Sequence, residues 1–146
     1  METILFENKE VIFKNFSGAP SKFDSGKRTF NIVLEPQDIE TLDKIGSFNI
    51  KTRESIDGTE PPINHIKVNI NPESRVNIFL VNDATKEMTS LDIDSYGILD
   101  TSDIISVDAI VRPWEYDKEA HKFVLYLQNL YVKLGALEKY SGYTIQ

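Results

Sequence analysis

Two long apolar-rich runs, residues 104–116 and 122–134, are separated only by residues 117–121, with a turn at Asp117-Lys118-Glu119-Ala120. This arrangement predicts a long antiparallel hairpin. An isolated two-stranded ribbon is marginal in water, so a hairpin of this length needs further strands to cover its apolar face. Short runs elsewhere in the chain can supply them. Residues 10–16 form a strand-like run, preceded by a shorter apolar start at 4–6. In residues 28–34, Arg28, Phe30, Ile32 and Leu34 share one parity, and Thr29, Asn31 and Val33 the other. In residues 65–70, Ile66, Val68 and Ile70 alternate with Lys67 and Asn69. Such alternation marks half-buried strands. Residues 48–53 and 76–81 complete the set, the latter ending in a turn at Asn82-Asp83.

Helical signals are few. Residues 36–45 open on Pro36, whose missing N–H costs nothing at the first helical position. Asp38 and Glu40 suit the positive end of the helix dipole, and Ile39, Leu42 and Ile45 form one stripe. Gly46 is placed to end the helix. A second short helix is expected over residues 91–99, capped by Thr89 or Ser90. Residues 17–27 and 54–62 read as loops. Many short strands with two short helices predict a mainly β domain. The number and spacing of strands suit an OB-like, partly open Greek-key β-barrel with one or two short helices. A jelly roll or an immunoglobulin-like sandwich fits the same periodicity. The domain is expected over residues 1–135, with residues 136–146 as a tail that is irregular or a short helix. No apolar run is long enough to span a bilayer, and no signal peptide is expected.

The motifs of common enzymes are missing. The chain has no cysteine, so disulfides and thiolate metal sites are excluded. His65 and His121 each stand alone, without a second ligand at zinc spacing. There is no nucleophile elbow, Walker loop or dinucleotide fingerprint. Asp92, Asp94, Gly97 and Asp103 occupy the first, third, sixth and twelfth positions of a calcium-type loop. Tyr96 at the fifth position supplies no carboxylate, and a solvated acidic connector is the better account. Glu35, Asp108 and Glu115 lie on different elements and read as surface charges. No catalysis, metal or cofactor is expected.

The net charge is −7, which by itself disfavours a phosphate-binding protein. Cations and aromatics are nevertheless clustered. Lys22, Phe23, Lys27, Arg28 and Phe30 follow Phe16. Lys51 and Arg53 are two apart, on one strand face. Arg112, Trp114 and Tyr116 also share a parity, and Lys122 lies across the hairpin turn. Single-strand binders pair cations that follow the phosphates with rings that stack on bases. Several of these residues have structural alternatives. Phe30 and Phe16 fit a core, and Trp114 could be interior while Arg112 reaches water. Pro113 points to a bulge or edge. The pattern suits nucleic-acid binding, and also a protein–protein interaction module on a β-barrel.

The sequence resembles a family of tailed-phage single-stranded DNA-binding proteins. The likeness runs from Phe13-Lys-Asn-Phe-Ser-Gly18 through Lys22-Phe23 and Gly26-Lys-Arg28-Thr-Phe30. It continues at Gly46-Ser-Phe-Asn-Ile-Lys51-Thr-Arg53 and at Val107-Asp-Ala-Ile-Val-Arg112-Pro-Trp114-Glu-Tyr116. Leu130-Tyr-Val-Lys133 and Leu137-Glu-Lys-Tyr140 extend it. The order of the aromatics after Pro113 departs from the family pattern, and an acidic C-terminal tip for recruiting partners is not expected. The resemblance implies a non-enzymatic OB-fold protein that coats single strands in phage replication or recombination, in the cytoplasm of the infected bacterial host. It implies contacts from Lys22, Phe23, Lys27, Arg28, Lys51, Arg53, Arg112, Trp114, Tyr116 and Lys122. Lysines and Arg53 would meet phosphates. Phe23, Trp114 and Tyr116 would stack. Arg112 could do either or buttress the site. Phage replication or recombination proteins are expected partners, and an open edge strand would allow a homodimer.

Overall fold

The computed structural model describes residues 3–18, 27–71, 73–82 and 85–134. The long hairpin forms as expected. Strand β9 (Ile104–Asp117) pairs antiparallel with β10 (Lys122–Leu134), from Lys122 opposite Asp117 to Leu134 opposite Ile104. Its turn is held by the Ala120 N–H, which donates to Asp117 Oδ1 at 3.2 Å. Pro113 is buried inside β9 and leaves the parity intact, with Val111 inside and Arg112 and Trp114 outside. The N-terminal strand β1 (Ile4–Lys9) pairs β9 only as far as Ile4 opposite Val111. Beyond that point the edge of β9 has no ladder from β1, so the missing N–H of Pro113 interrupts no bond on that side.

The run expected over residues 10–16 is strand β2 (Val11–Asn15), separated from β1 by Glu10 alone. It pairs with β3 (Arg28–Leu34), and β3 pairs along its whole length with β6 (Ile63–Ile70). The principal path is β1-β9-β10-β6-β3-β2 in a mixed ten-stranded sheet. Both ends of that path are halves of one bent N-terminal strand, so the sheet wraps round a single core. Hydrogen bonding does not close it into a barrel: β6 meets β10 only at Val68–Asn69. This is the OB-like, partly open Greek-key arrangement. Among the described residues, no helix is long and apolar enough to cross a membrane.

The remaining elements fill the opening between β6 and β10. The run expected at 48–53 is broken into β4 (Ser47–Phe48), parallel to β10, and β5 (Lys51–Arg53), antiparallel to β6. Farther along, β10 pairs with β7 (Asn77–Asn82), which carries β8 (Glu87–Leu91) on its other edge. β8 was not foreseen. Its Glu-Met-Thr-Ser-Leu sequence carries little apolar pattern, and four of its five residues are exposed. The helix expected at 91–99 is instead a 3₁₀ helix, Ile93–Asp100, with no side-chain cap.

The change of partner by β10 comes from a bulge. The register shifts between Leu127 and Asn129. Before it Phe123, Leu125 and Leu127 are buried; after it Leu130, Val132 and Leu134 are. One extra residue flips the buried parity and bends the strand. Phe6, Phe30, Ile32, Leu42, Val68, Ile78, Leu99, Val107 and Val111 close the core, and Phe16 stacks on Phe30 at 4.9 Å.

Helix α1 (Pro36–Ile45) matches its expected bounds. Its N-terminus is a capping box in which the Glu35 N–H donates to Asp38 Oδ2 at 2.8 Å. Lys9, almost wholly buried, ties this box to β1, with Nζ 2.6 Å from Asp38 Oδ2 and 3.2 Å from Glu35 Oε1. Gly46 ends the helix for a reason of space. A Cβ there would collide with the Phe123 ring and lie 2.9 Å from the His121 carbonyl. Burial opposes the charge on Lys9, but the two carboxylates outweigh it and raise its pKa. The stabilisation is therefore complete below the ordinary lysine range and is lost as pH rises through the raised folded value. Lys9→Met should cost about 2 kcal/mol, because the partly buried Asp38 loses its ion-pair partner and keeps only the Glu35 N–H. Urea denaturation checks this, and the deficit should narrow in strong alkali.

Candidate nucleic-acid interface

One face of the sheet packs the core; the opposite face is set by the same alternation. On β3 the outward positions are Thr29, Asn31 and Val33, and on β6 they are His65, Lys67 and Asn69. The ladder sets Asn31 opposite Lys67 and Val33 opposite His65. On β10 they are Val124 and Tyr126, and on β9 Arg112, Trp114 and Tyr116, with Arg112 opposite Tyr126 and Trp114 opposite Val124. Lys51 on β5 stands opposite His65. None of these strand positions is Asp or Glu. No Asp or Glu lines the groove that Lys51 and Lys67 share, so its charged side chains are cations although the whole protein is negative, and Asp108, of the same β9 parity, accepts the Asn8 N–H.

The aromatics are presented, not packed. Trp114 is 59% exposed and Tyr116 58%, with Tyr126 less exposed beside them at 37%. Arg112 reaches across to Gln128, its Nη2 donating to Oε1 at 3.3 Å. Tyr116, Lys51, Lys67, Asn31 and Asn69 line one groove, and Lys51, Arg53, Lys67, His65, Asn31 and Phe13 line its continuation. Lys51 and Lys67 therefore bridge the β9 aromatics to the β2–β5 end. Lys122 is exposed at the hairpin tip, opposite Asp117.

The first sequence cluster divides. Lys22 and Phe23 lie outside the described residues, as do the expected turn residue Asp83 and the tail 136–146. Lys27 is exposed, and its carbonyl accepts a bond from Asn15 Nδ2. Arg28 has a structural task. Its Nη1 donates to the Phe16 carbonyl at 2.7 Å, and the guanidinium lies 5.7 Å from the Tyr96 ring centroid. Asp100 completes this clamp by accepting the N–H groups of Phe16 and Ser17 at 2.6 and 3.2 Å. Part of the calcium-like segment thus anchors the base of the β2–β3 loop. Asp108 and Glu115 are also engaged, Asp108 with the Asn8 N–H and Glu115 with His121. Among the described residues, no three carboxylates and histidines are grouped to hold a metal.

Phe13, Asn31, His65 and Lys67 were not picked out as site residues by sequence reasoning. Phe13 reads as one more apolar residue of a strand, yet it is 55% exposed. The β2 register shifts between Ile12 and Asn15, and Phe13 sits at φ 51° within that irregularity. A bulky residue there costs roughly 1–2 kcal/mol relative to ordinary strand backbone. Its ring centroid is 5.3 Å from that of His65 and 5.5 Å from the Arg53 guanidinium carbon. His65 is buried, with Nδ1 2.8 Å from Asn31 Oδ1. No partner for His65 Nε2 or Asn31 Nδ2 is found among the described residues.

These features coincide with a family of known proteins. A family model described as "Putative phage ssDNA-binding domain" matches residues 1–142. The chain belongs to this family. Among solved structures, the C-terminally truncated single-stranded DNA-binding protein of bacteriophage Enc34 is similar. It has a TM-score of 0.54 and 12% identity, over 90% of this chain and 85% of that one. The same phage protein in complex with single-stranded DNA has a TM-score of 0.52 and 13% identity, over 90% and 86%. These likenesses bear out the OB-like fold. No curated relative matches the chain.

Burial first, then the charges of Lys51 and Arg53, hold the His65 pKa below the usual histidine value. The folded state thus takes up its proton later than the unfolded chain as pH falls. The stability due to neutral His65 is full above the unfolded value and is lost as pH drops through the lowered folded one. NMR titration should find its midpoint below 6.5, and added salt should move it upward by screening the two cations.

Proposed function

We propose that this chain coats single-stranded DNA, largely without regard to sequence and without catalysis, during phage DNA replication or recombination. Its setting would be the cytoplasm of the infected host, with replication or recombination proteins as partners beyond DNA. The observation that carries the binding reading is the groove across β3, β5, β6 and the end of β9, lined by Lys51, Lys67, Arg53 and Tyr116 and by no carboxylate, with Trp114 exposed beside it. In OB-folds the second and third strands, with the loops joining strands one to two and four to five, bind oligonucleotides. Here those elements correspond to β3, β6, the β2–β3 loop and the tip of the β9–β10 hairpin.

The roles follow from chemistry. Lys51, Arg53 and Lys67 would follow phosphates along the groove. Trp114 and Tyr116 would stack on bases, and any base can stack, which accounts for sequence tolerance. Lys22, Phe23 and Lys27 on the β2–β3 loop and Lys122 at the hairpin tip would flank the track. Arg28 would act by holding the loop base, and Arg112 by bracing the aromatic row through Gln128.

Anisotropy with oligothymidine over a salt series tests this. Affinity should fall with a log–log slope of about −0.7 per phosphate neutralised. Lys51→Glu with Lys67→Glu should weaken binding and flatten that slope. DNA should quench the fluorescence of Trp114, the sole tryptophan, and Trp114→Ala should cost ~1–3 kcal/mol of binding. Absence of oligothymidine binding at low salt would remove the proposal.

A further inference from the structure

The geometry points to a second nucleobase subsite at the β2–β5 end of the groove, in which Phe13 is the stacking platform and the His65–Asn31 pair faces the base edge. It rests on the single-strand reading above and extends the DNA track beyond the β9 aromatics.

Three observations converge on Phe13. Its ring is largely exposed, so the core does not account for a phenylalanine there. Its backbone is left-handed, a conformation in which glycine or asparagine is at ease and a bulky side chain is not. Strain of this kind clusters at ligand sites, where the surrounding structure holds it in place. Finally, the ring lies close to the Arg53 guanidinium. A planar cation near an accessible ring marks a surface that takes flat, polarisable groups, as a base is. Arg53 is then free to turn to the adjoining phosphate when a base arrives.

The polar pair beneath supplies the edge contact. With Nδ1 of His65 bonded to Asn31 Oδ1, the neutral imidazole offers Nε2 as an acceptor, and Asn31 offers Nδ2 as a donor. Every nucleobase carries a neighbouring donor and acceptor on its pairing edge, so this pair can meet any of them without imposing a sequence. Lys51 and Lys67 connect the subsite to Tyr116 by way of the shared groove.

The test uses the full chain with Phe13→Gly, Phe13→Asn and Phe13→Tyr. Glycine and asparagine tolerate the left-handed backbone, so both variants should melt at or above the parent temperature. Both should bind oligothymidine about tenfold more weakly, within the range expected for one lost stacked base. Phe13→Tyr should bind like the parent. The salt slope should not change, because no phosphate contact is removed. Replacing thymidines by abasic nucleotides should cost the Gly and Asn variants less than the parent. Unchanged affinity in both variants overturns the subsite. So does a fall in affinity that tracks a fall in melting temperature, or one accompanied by a flatter salt slope. A parent chain that fails to bind oligothymidine instead defeats the underlying reading, and the subsite with it.

Discussion

The antiparallel ladder between β9 and β10 places nearly every other strand. β1 lies on the outer edge of β9, while β4, β6 and β7 take successive stretches of β10. β4 and β6 share the stretch before the bulge near Gln128, and β7 takes the stretch after it, where the buried parity has flipped and the strand has turned. Without that extra residue, Leu130, Val132 and Leu134 would point away from the core that Leu125 and Leu127 enter. The register of this hairpin therefore sets both the core and the opposite face at once, since a slip of one residue would exchange them.

That exchange rule links fold to binding. The alternation that buries Val107, Ala109 and Val111 presents Arg112, Trp114 and Tyr116 beyond them. On β3 and β6, burial of Phe30, Ile32, Val68 and Ile70 turns Asn31, Lys67 and Asn69 outward. The cationic face is the other side of the hydrophobic pattern. Five carboxylates have partners outside the groove: Asp38 and Glu35 hold Lys9, Asp100 caps the end of β2, Asp108 receives the Asn8 N–H, and Glu115 pairs with His121. An acidic protein can thus carry a groove lined by cations.

Two kinds of backbone departure shape the site. Breaking the 48–53 run into β4 and β5 lets Lys51 and Arg53 lean over β6 where β10 has left it. The irregularity in β2 turns Phe13 out of the strand pattern and toward His65. The first occurs where the wrapped sheet fails to close between β6 and β10, and the second in the β2–β3 ladder, from which the Phe13 ring reaches His65 on β6.

The amino-acid sequence alone determined the long hairpin, the bounds of β3, α1 and β10, and the parity of Arg112, Trp114 and Tyr116. Those depend on local periodicity, on Pro36 at a helix start and on a polar link between apolar runs. The family likeness was legible as well, spread over most of the chain. Only the tertiary structure decided that Trp114 is outside, that Arg28 clamps a loop, and that Phe13, His65 and Lys67 join the groove. It also decided that β8 is a strand despite its weak pattern, because its partner β7 supplies the ladder. These outcomes depend on which strands meet, and a single strand's alternation cannot say which face its neighbours will cover.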